Sequence, residues 1–236
     1  MNREYHTWLS PALGREMELL VFGHAGIPTL VFPTSQGRFY DFENNGMVQA
    51  VQRQIDHGQL QLFCVDSVDS ESWYNREAPP RWRIGRHLQY EQYILNEVTP
   101  LVRQKNHAPQ LTLAGCSFGG FHAASMALRH PETFTGMLSI SGAFDLSCLL
   151  NGYSDEDSYL LFPTYFLPNL YDPWYLDRYR KNVYVLATGV HDQCWDQNEK
   201  LAAVMRQKGI PVRLDVWGDN AGHDWPWWRR MAAQYL

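Results

Sequence analysis

The chain has 236 residues, 45% of them hydrophobic and 19% charged, which fits a single α/β domain over 1–236 with a sizeable core. A formal charge of -5 and a pI near 6.0 give no electrostatic ground for a nucleic-acid partner. No apolar run is long enough to span a membrane, a length of about 18 residues. The opening MNREYHTWLSPALG carries no apolar signal core, so a cytoplasmic protein is expected. Cys64, Cys116, Cys148 and Cys194 match no zinc spacing, and free thiols without a metal or other cofactor are expected.

In chain order, strand-like runs at 3–9 and 15–23 flank SPALGR. HAGIP turns into a short buried strand, TLVFP (29–33), followed by the loop TSQGRFYDFENNG. A helix is expected from about Gly46 to Asp56, closed by Gly58, and then the strand LQLFCVDS (60–67). A loop over 69–86 leads to the amphipathic helix RHLQYEQYILNEVTPLVRQK, whose apolar face is Leu88, Ile94, Leu95, Val98 and Leu101. LTLAGC (111–116) reads as a buried strand, and GGFHAASMALRH as a helix stopped by Pro131. Further strands are expected at 135–144, 182–189 and 212–218, with helices at about 196–208 and after His223. Strands alternating with helices predict a mostly parallel central sheet covered on both faces. The segment 145–181, rich in proline and aromatics, reads as a small folded cap inserted over the sheet edge.

Ser117 stands at the corner between one strand and the next helix, in Gly115-Cys116-Ser117-Phe118-Gly119. This G-x-S-x-G is the pattern of a nucleophile elbow, where flanking glycines clear space for a strained serine. The pentapeptide alone carries little, since a chain this long shows it by chance at a frequency of about 0.08 at ordinary usage. A serine nucleophile also needs a base, and the base an orienting carboxylate, both from loops at the carboxyl ends of strands. Asp192, in TGVHDQ past the 182–189 strand, is the first candidate acid, ahead of Asp145 and Asp196. His223, in GDNAGHDWPWW after the last strand, is the candidate base. His122 lies on the elbow helix and reads as packing or support.

The backbone N–H of Phe118, next after the serine, is one expected oxyanion donor. The second is expected from the loop FPTSQG, at Ser35 or alternatively Thr34, since Pro33 has no N–H. Trp73 and Tyr74 in the 69–86 loop, Tyr165 and Phe166 in the cap, and Trp225 beside His223 are candidates to line a substrate pocket. Arg76, Arg81, Arg83 and Arg86 either receive an acidic substrate moiety or stack on the tryptophans.

AGCSFGGFHAASMALRHPETFTGMLSISGAFD, GVHDQ with its following helix and KGIPV, and GHDWPWW together resemble the putative-esterase family of α/β-hydrolases. That family includes S-formylglutathione hydrolase, feruloyl and acetylxylan esterases, and mycolyltransferase-type antigens. The resemblance runs from about Thr29 to the C-terminus and implies a triad of Ser117, Asp192 and His223. FPTSQG departs from the HG or SGL type common there. The expected activity is hydrolysis of a small-molecule carboxylic ester or thioester through an acyl-enzyme. The alternatives are an acyltransferase with the same triad and a catalytically silent binding module. A homo-oligomer is left open.

Overall fold

A computed structural model describes residues 1–236. Eight strands form one sheet: β1 (Arg3–Ser10), β2 (Arg15–Phe22), β3 (Ile27–Phe32), β4 (Leu60–Val65), β5 (Thr112–Cys116), β6 (Gly136–Ile140), β7 (Val183–His191) and β8 (Arg213–Gly222). Their order across the sheet is β1-β2-β4-β3-β5-β6-β7-β8. The β1–β2 hairpin is antiparallel, and β2 runs antiparallel to β4. From β4 to β8 every pairing is parallel. This is the mostly parallel sheet expected from the alternation of strands and helices.

Burial explains the strand sequences. β4 and β6 are buried at every residue, and LQLFCV and GMLSI accordingly run without polar alternation. β1 lies at an edge and alternates between exposed and half-buried positions. The helices Pro80–Tyr93, Phe118–Arg129 and Trp195–Gln207 belong to the face that holds the larger apolar cluster, including Phe121, Tyr90 and Leu201. The short helices Met47–Ala50 and Gln52–Asp56, with Trp225–Tyr235, cover the other face through Val48, Ile55 and Trp228.

Several elements differ from expectation. The helix expected over Gly46–Asp56 breaks at Val51 into two short pieces. The 69–86 loop ends early, because a helix begins at Pro80, a position where its missing N–H costs nothing. That helix passes through a π-helical turn at Ile94–Val98 and continues over Thr99–Lys105. Pro100 cannot donate a helical bond, and just before it the Thr99 N–H and hydroxyl both donate to the Ile94 carbonyl, the hydroxyl at 2.8 Å. β6 stops at Ile140, whereas β7 and β8 extend to His191 and Gly222 across an irregularity at Gly189. The 145–181 insertion folds into short helices, among them Glu156–Leu161 and Pro173–Tyr179. It packs on the elbow helix more than on a sheet edge: Leu161, Phe162 and Phe166 join the large core, and Ser125 Oγ donates to the Leu161 carbonyl at 2.8 Å.

A close backbone-to-backbone approach lies where the elbow helix crosses β3. A β-carbon on Gly119 would sit 2.5 Å from the Phe32 carbonyl oxygen and 2.6 Å from that of Pro33. Both neighbours are backbone and cannot rotate away. Gly119→Ala is therefore expected to destabilise the protein by about 1–3 kcal/mol. Urea unfolding should show a lower midpoint with an unchanged m-value.

Candidate active site

Ser117 follows the last residue of β5 with φ 57° and ψ -117°, a conformation that a β-carbon disfavours. Its N–H donates to the Ile140 carbonyl at 2.9 Å, and its carbonyl accepts the Gly120 N–H at 3.0 Å. The glycines on either side are required by space. A β-carbon on Gly115 would collide with the Gly119 backbone, and Gly119 itself is held against β3.

His223 comes directly after β8, and Asp192 directly after β7. His223 Nε2 lies 2.9 Å from Ser117 Oγ, and His223 Nδ1 lies 2.9 Å from Asp192 Oδ1. The Asp192 side chain is fully buried, and the His223 ring retains 16% exposure. The turn after β7 fixes the carboxylate, with the Cys194 N–H donating to Asp192 Oδ1 at 2.7 Å. Trp228 meets the His223 ring edge-on at 4.9 Å, and its Nε1 donates to Ser141 Oγ at 2.9 Å.

Burial pushes the Asp192 carboxyl up. Hydrogen bonds from His223 and the Cys194 N–H, with the neighbouring Ser141 hydroxyl and the imidazole charge, outweigh that and hold it below the usual value. Asp192 Oδ2 has no partner within hydrogen-bond range. An ionised carboxylate only accepts, so His223 Nδ1 must carry the hydrogen. In the neutral ring Nε2 is then free to accept the Ser117 hydroxyl proton. Asp145 and Asp196 are both exposed and make no contact with His223; Asp145 instead accepts from the Ser147 hydroxyl at 2.6 Å.

The two expected oxyanion donors are unengaged. Neither the Phe118 nor the Ser35 N–H has an acceptor within the protein. Thr34, the alternative, is already committed, because its N–H donates to Asp41 Oδ2 at 3.0 Å. Nothing local in FPTSQG distinguishes Thr34 from Ser35; the deciding carboxylate lies seven residues further on.

The expected pocket residues divide. Trp73 is only 1% exposed and packs edge-on against Phe118, Phe121 and Phe162, so it is core and lines no open pocket. Phe166 is also buried in that core. Tyr74 is half-buried, stacks obliquely on Phe118 at 5.5 Å, and donates its hydroxyl to Ser35 Oγ at 2.9 Å. Tyr165 is exposed and borders a hollow of about 110 Å³ with Phe144, Asp145, Asp196 and Lys200. Trp225 is half-buried against Trp228 at 4.8 Å. The arginines form no anion cluster: Arg83 is buried and donates to the Trp73 and Leu149 carbonyls, and Arg86 pairs with Glu71. A cavity of about 570 Å³ opens at the amino ends of the parallel strands, beside Thr29, Thr112, Gly136 and Val183, at the opposite end of the sheet from Ser117.

One group of metal-ligating side chains exists here, Asp192, Cys194 and His223, with ligand atoms within 4.8 Å of one another. Burial and the Asp192 charge push the Cys194 thiol up to about 12, so it stays protonated at neutral pH. Asp192 and His223 are already hydrogen-bonded to each other at 2.9 Å.

The sheet order, and a serine at the corner after β5, define an α/β-hydrolase. The family model described as "Putative esterase" matches residues 10–234, and the chain belongs to that family. Similar solved structures include a ferulic acid esterase, 17% identical over 100% of this chain and 96% of that one, with a TM-score of 0.77. An S-formylglutathione hydrolase from Agrobacterium tumefaciens is 15% identical over 99% of this chain and 92% of that one, at a TM-score of 0.76. The fluorophosphonate-binding serine hydrolase F of Staphylococcus aureus is 18% identical over 99% and 96%, at 0.69. No curated protein matches the chain. No helix is long and apolar enough to cross a membrane.

A carboxyl held below its ordinary value by folding stabilises the folded state above the unfolded pKa, about 3.9, and loses that contribution as pH falls through the folded value. Wild type should therefore be more stable than Asp192→Asn at neutral pH. The difference in urea midpoint should shrink as the pH is lowered from 7 to 3.

Proposed function

We propose that the protein hydrolyses carboxylic esters or thioesters through an acyl-enzyme on Ser117. The observation that carries this reading is the continuous line of contacts from Asp192 through His223 to Ser117 Oγ, each 2.9 Å long. Ser117 Oγ attacks the ester carbonyl carbon as its proton passes to His223 Nε2. Asp192 holds the ring in the required tautomer and stabilises the imidazolium. The carbonyl oxygen, now negative, is received by the Phe118 and Ser35 N–H groups, each worth about 3 kcal/mol of barrier. His223 returns the proton to the departing alkoxide or thiolate. Water then repeats the sequence, with His223 as base, to release the acid.

The substrate is read as a small molecule. Tyr74 and Tyr165 remain as accessible aromatic walls, whereas Trp73 and Phe166 are withdrawn into the core. No feature of the site favours an acceptor alcohol over water, and hydrolysis is the reading adopted.

The test is turnover of p-nitrophenyl acetate together with labelling by a fluorophosphonate probe. Ser117→Ala and His223→Ala should each lower kcat by at least about 10³-fold, and Asp192→Asn by about 10⁴-fold through the wrong tautomer. Ser117→Ala should also abolish labelling while remaining folded. A folded wild type that neither turns over nor labels would remove Ser117 as an activated nucleophile.

A further inference from the structure

A second imidazole–carboxylate pair lies beneath the site, and the proposed mechanism does not use it. His122 Nε2 and Asp69 Oδ1 are 2.9 Å apart, and both side chains are 1% exposed. Burying such a pair is costly, and the other ring nitrogen, His122 Nδ1, has no hydrogen-bond partner in the fold.

What the pair touches is informative. His122 sits one helical turn beyond Phe118 on the elbow helix, and its ring meets the Phe118 ring edge-on at 5.1 Å and the Phe32 ring at 5.6 Å. Asp69 faces the other way. Its Oδ2 accepts the Gln36 N–H at 3.4 Å, and Gln36 has φ 56°. The Asp69 carbonyl accepts the N–H of Tyr74, whose hydroxyl donates to Ser35 Oγ. The amides of the loop after β3 are thereby assigned one by one. Thr34 donates to Asp41, Gln36 to Asp69, and Gly37 to the Thr34 carbonyl. Among residues 34–37, Ser35 alone is left without an acceptor, between two anchored neighbours.

We propose that Asp69 and His122 form a buried positioning dyad that fixes the spacing between the two oxyanion donors, Phe118 N–H on the elbow helix and Ser35 N–H on the loop. The proposal rests on the ester-hydrolase reading. Neither residue touches the reacting atoms. Asp69 holds the loop through Gln36 and Tyr74, and His122 ties that carboxylate to the helix that presents Phe118. His87 stacks on His122 at 5.4 Å, and burial, then the neighbouring His122 and Arg129, drives its pKa well down. A neutral ring therefore lies over the dyad and competes little for the carboxylate.

The test compares Asp69→Asn, His122→Phe and His122→Gln with wild type, well below the melting temperature of each. An oxyanion hole binds the tetrahedral state and not the ester, so a misplaced donor lowers kcat and leaves KM alone. Asp69→Asn and His122→Phe should lose about tenfold or more in kcat, with KM within about twofold. The Ki of a trifluoromethyl ketone, whose serine adduct places an oxyanion in the same hole, should rise by the same factor. His122→Gln, whose amide can donate from nearly the position of Nε2, should recover most of both. A lowered melting temperature with kcat and Ki within about twofold would show a purely structural pair and overturn the proposal. If His122→Phe does not fold, Asp69→Asn decides alone. A wild type that neither turns over ester nor labels would sink the hydrolase reading and the dyad with it. An active wild type with indifferent variants would sink only the dyad.

Discussion

Ser117 occupies a backbone conformation that no β-carbon-bearing residue adopts unaided, so the surroundings must hold it there. They do so by bringing backbone against backbone. Gly115 meets Gly119, Gly119 meets the carbonyls ending β3, and Gly120 approaches Ser139 and Gly142 at the end of β6. Three adjacent strands thus converge on one turn through glycines. With less space the elbow helix would be displaced from β3, and with it the Phe118 N–H, the neighbouring loop amides and the serine hydroxyl. The left-handed serine and the crowded glycines are one constraint seen from two sides.

The remaining site is built by tethering loops to buried or half-buried carboxylates. Asp192 organises the turn after β7, Asp41 and Asp69 organise the loop after β3, and Asp66 at the end of β4 receives Arg38 at 2.6 Å. Each of the three parallel strands β3, β4 and β7 therefore leads into a segment where an aspartate satisfies backbone N–H groups that would otherwise be orphaned. The Phe118 N–H, directly after the serine, and the Ser35 N–H are left unengaged.

Much of this was legible in the sequence where burial imposes a pattern. β4, β5 and β6 are covered on both faces and read as apolar runs, and a serine between glycines at a change of period marked the corner. The chain order of serine, aspartate and histidine in loops after strands singled out the residues that the structure places 2.9 Å apart. Where long-range partners decide, local pattern was insufficient. Composition could not tell that Trp73 is core, because a tryptophan contributes the same to a pocket wall as to an interior. Arg83 reads as receiving an acidic moiety or stacking on a tryptophan, yet its guanidinium is buried and donates to the carbonyls of Trp73 and the distant Leu149. Pro79 and Pro80 read as loop, although the second of them starts a helix.

The three residues of the site do not share one neighbourhood of the sheet. Ser117 leaves a central strand with partners on both sides, whereas His223 leaves β8, which pairs only with β7 and is exposed or half-buried at every position except Ala221. Edge strands open at lower free energy than central ones. Sub-global fraying of β8 would withdraw the imidazole while the elbow remained intact. On warming, thermal inactivation should run ahead of the cooperative loss of the core, and the inactive state should recover on cooling without refolding the domain.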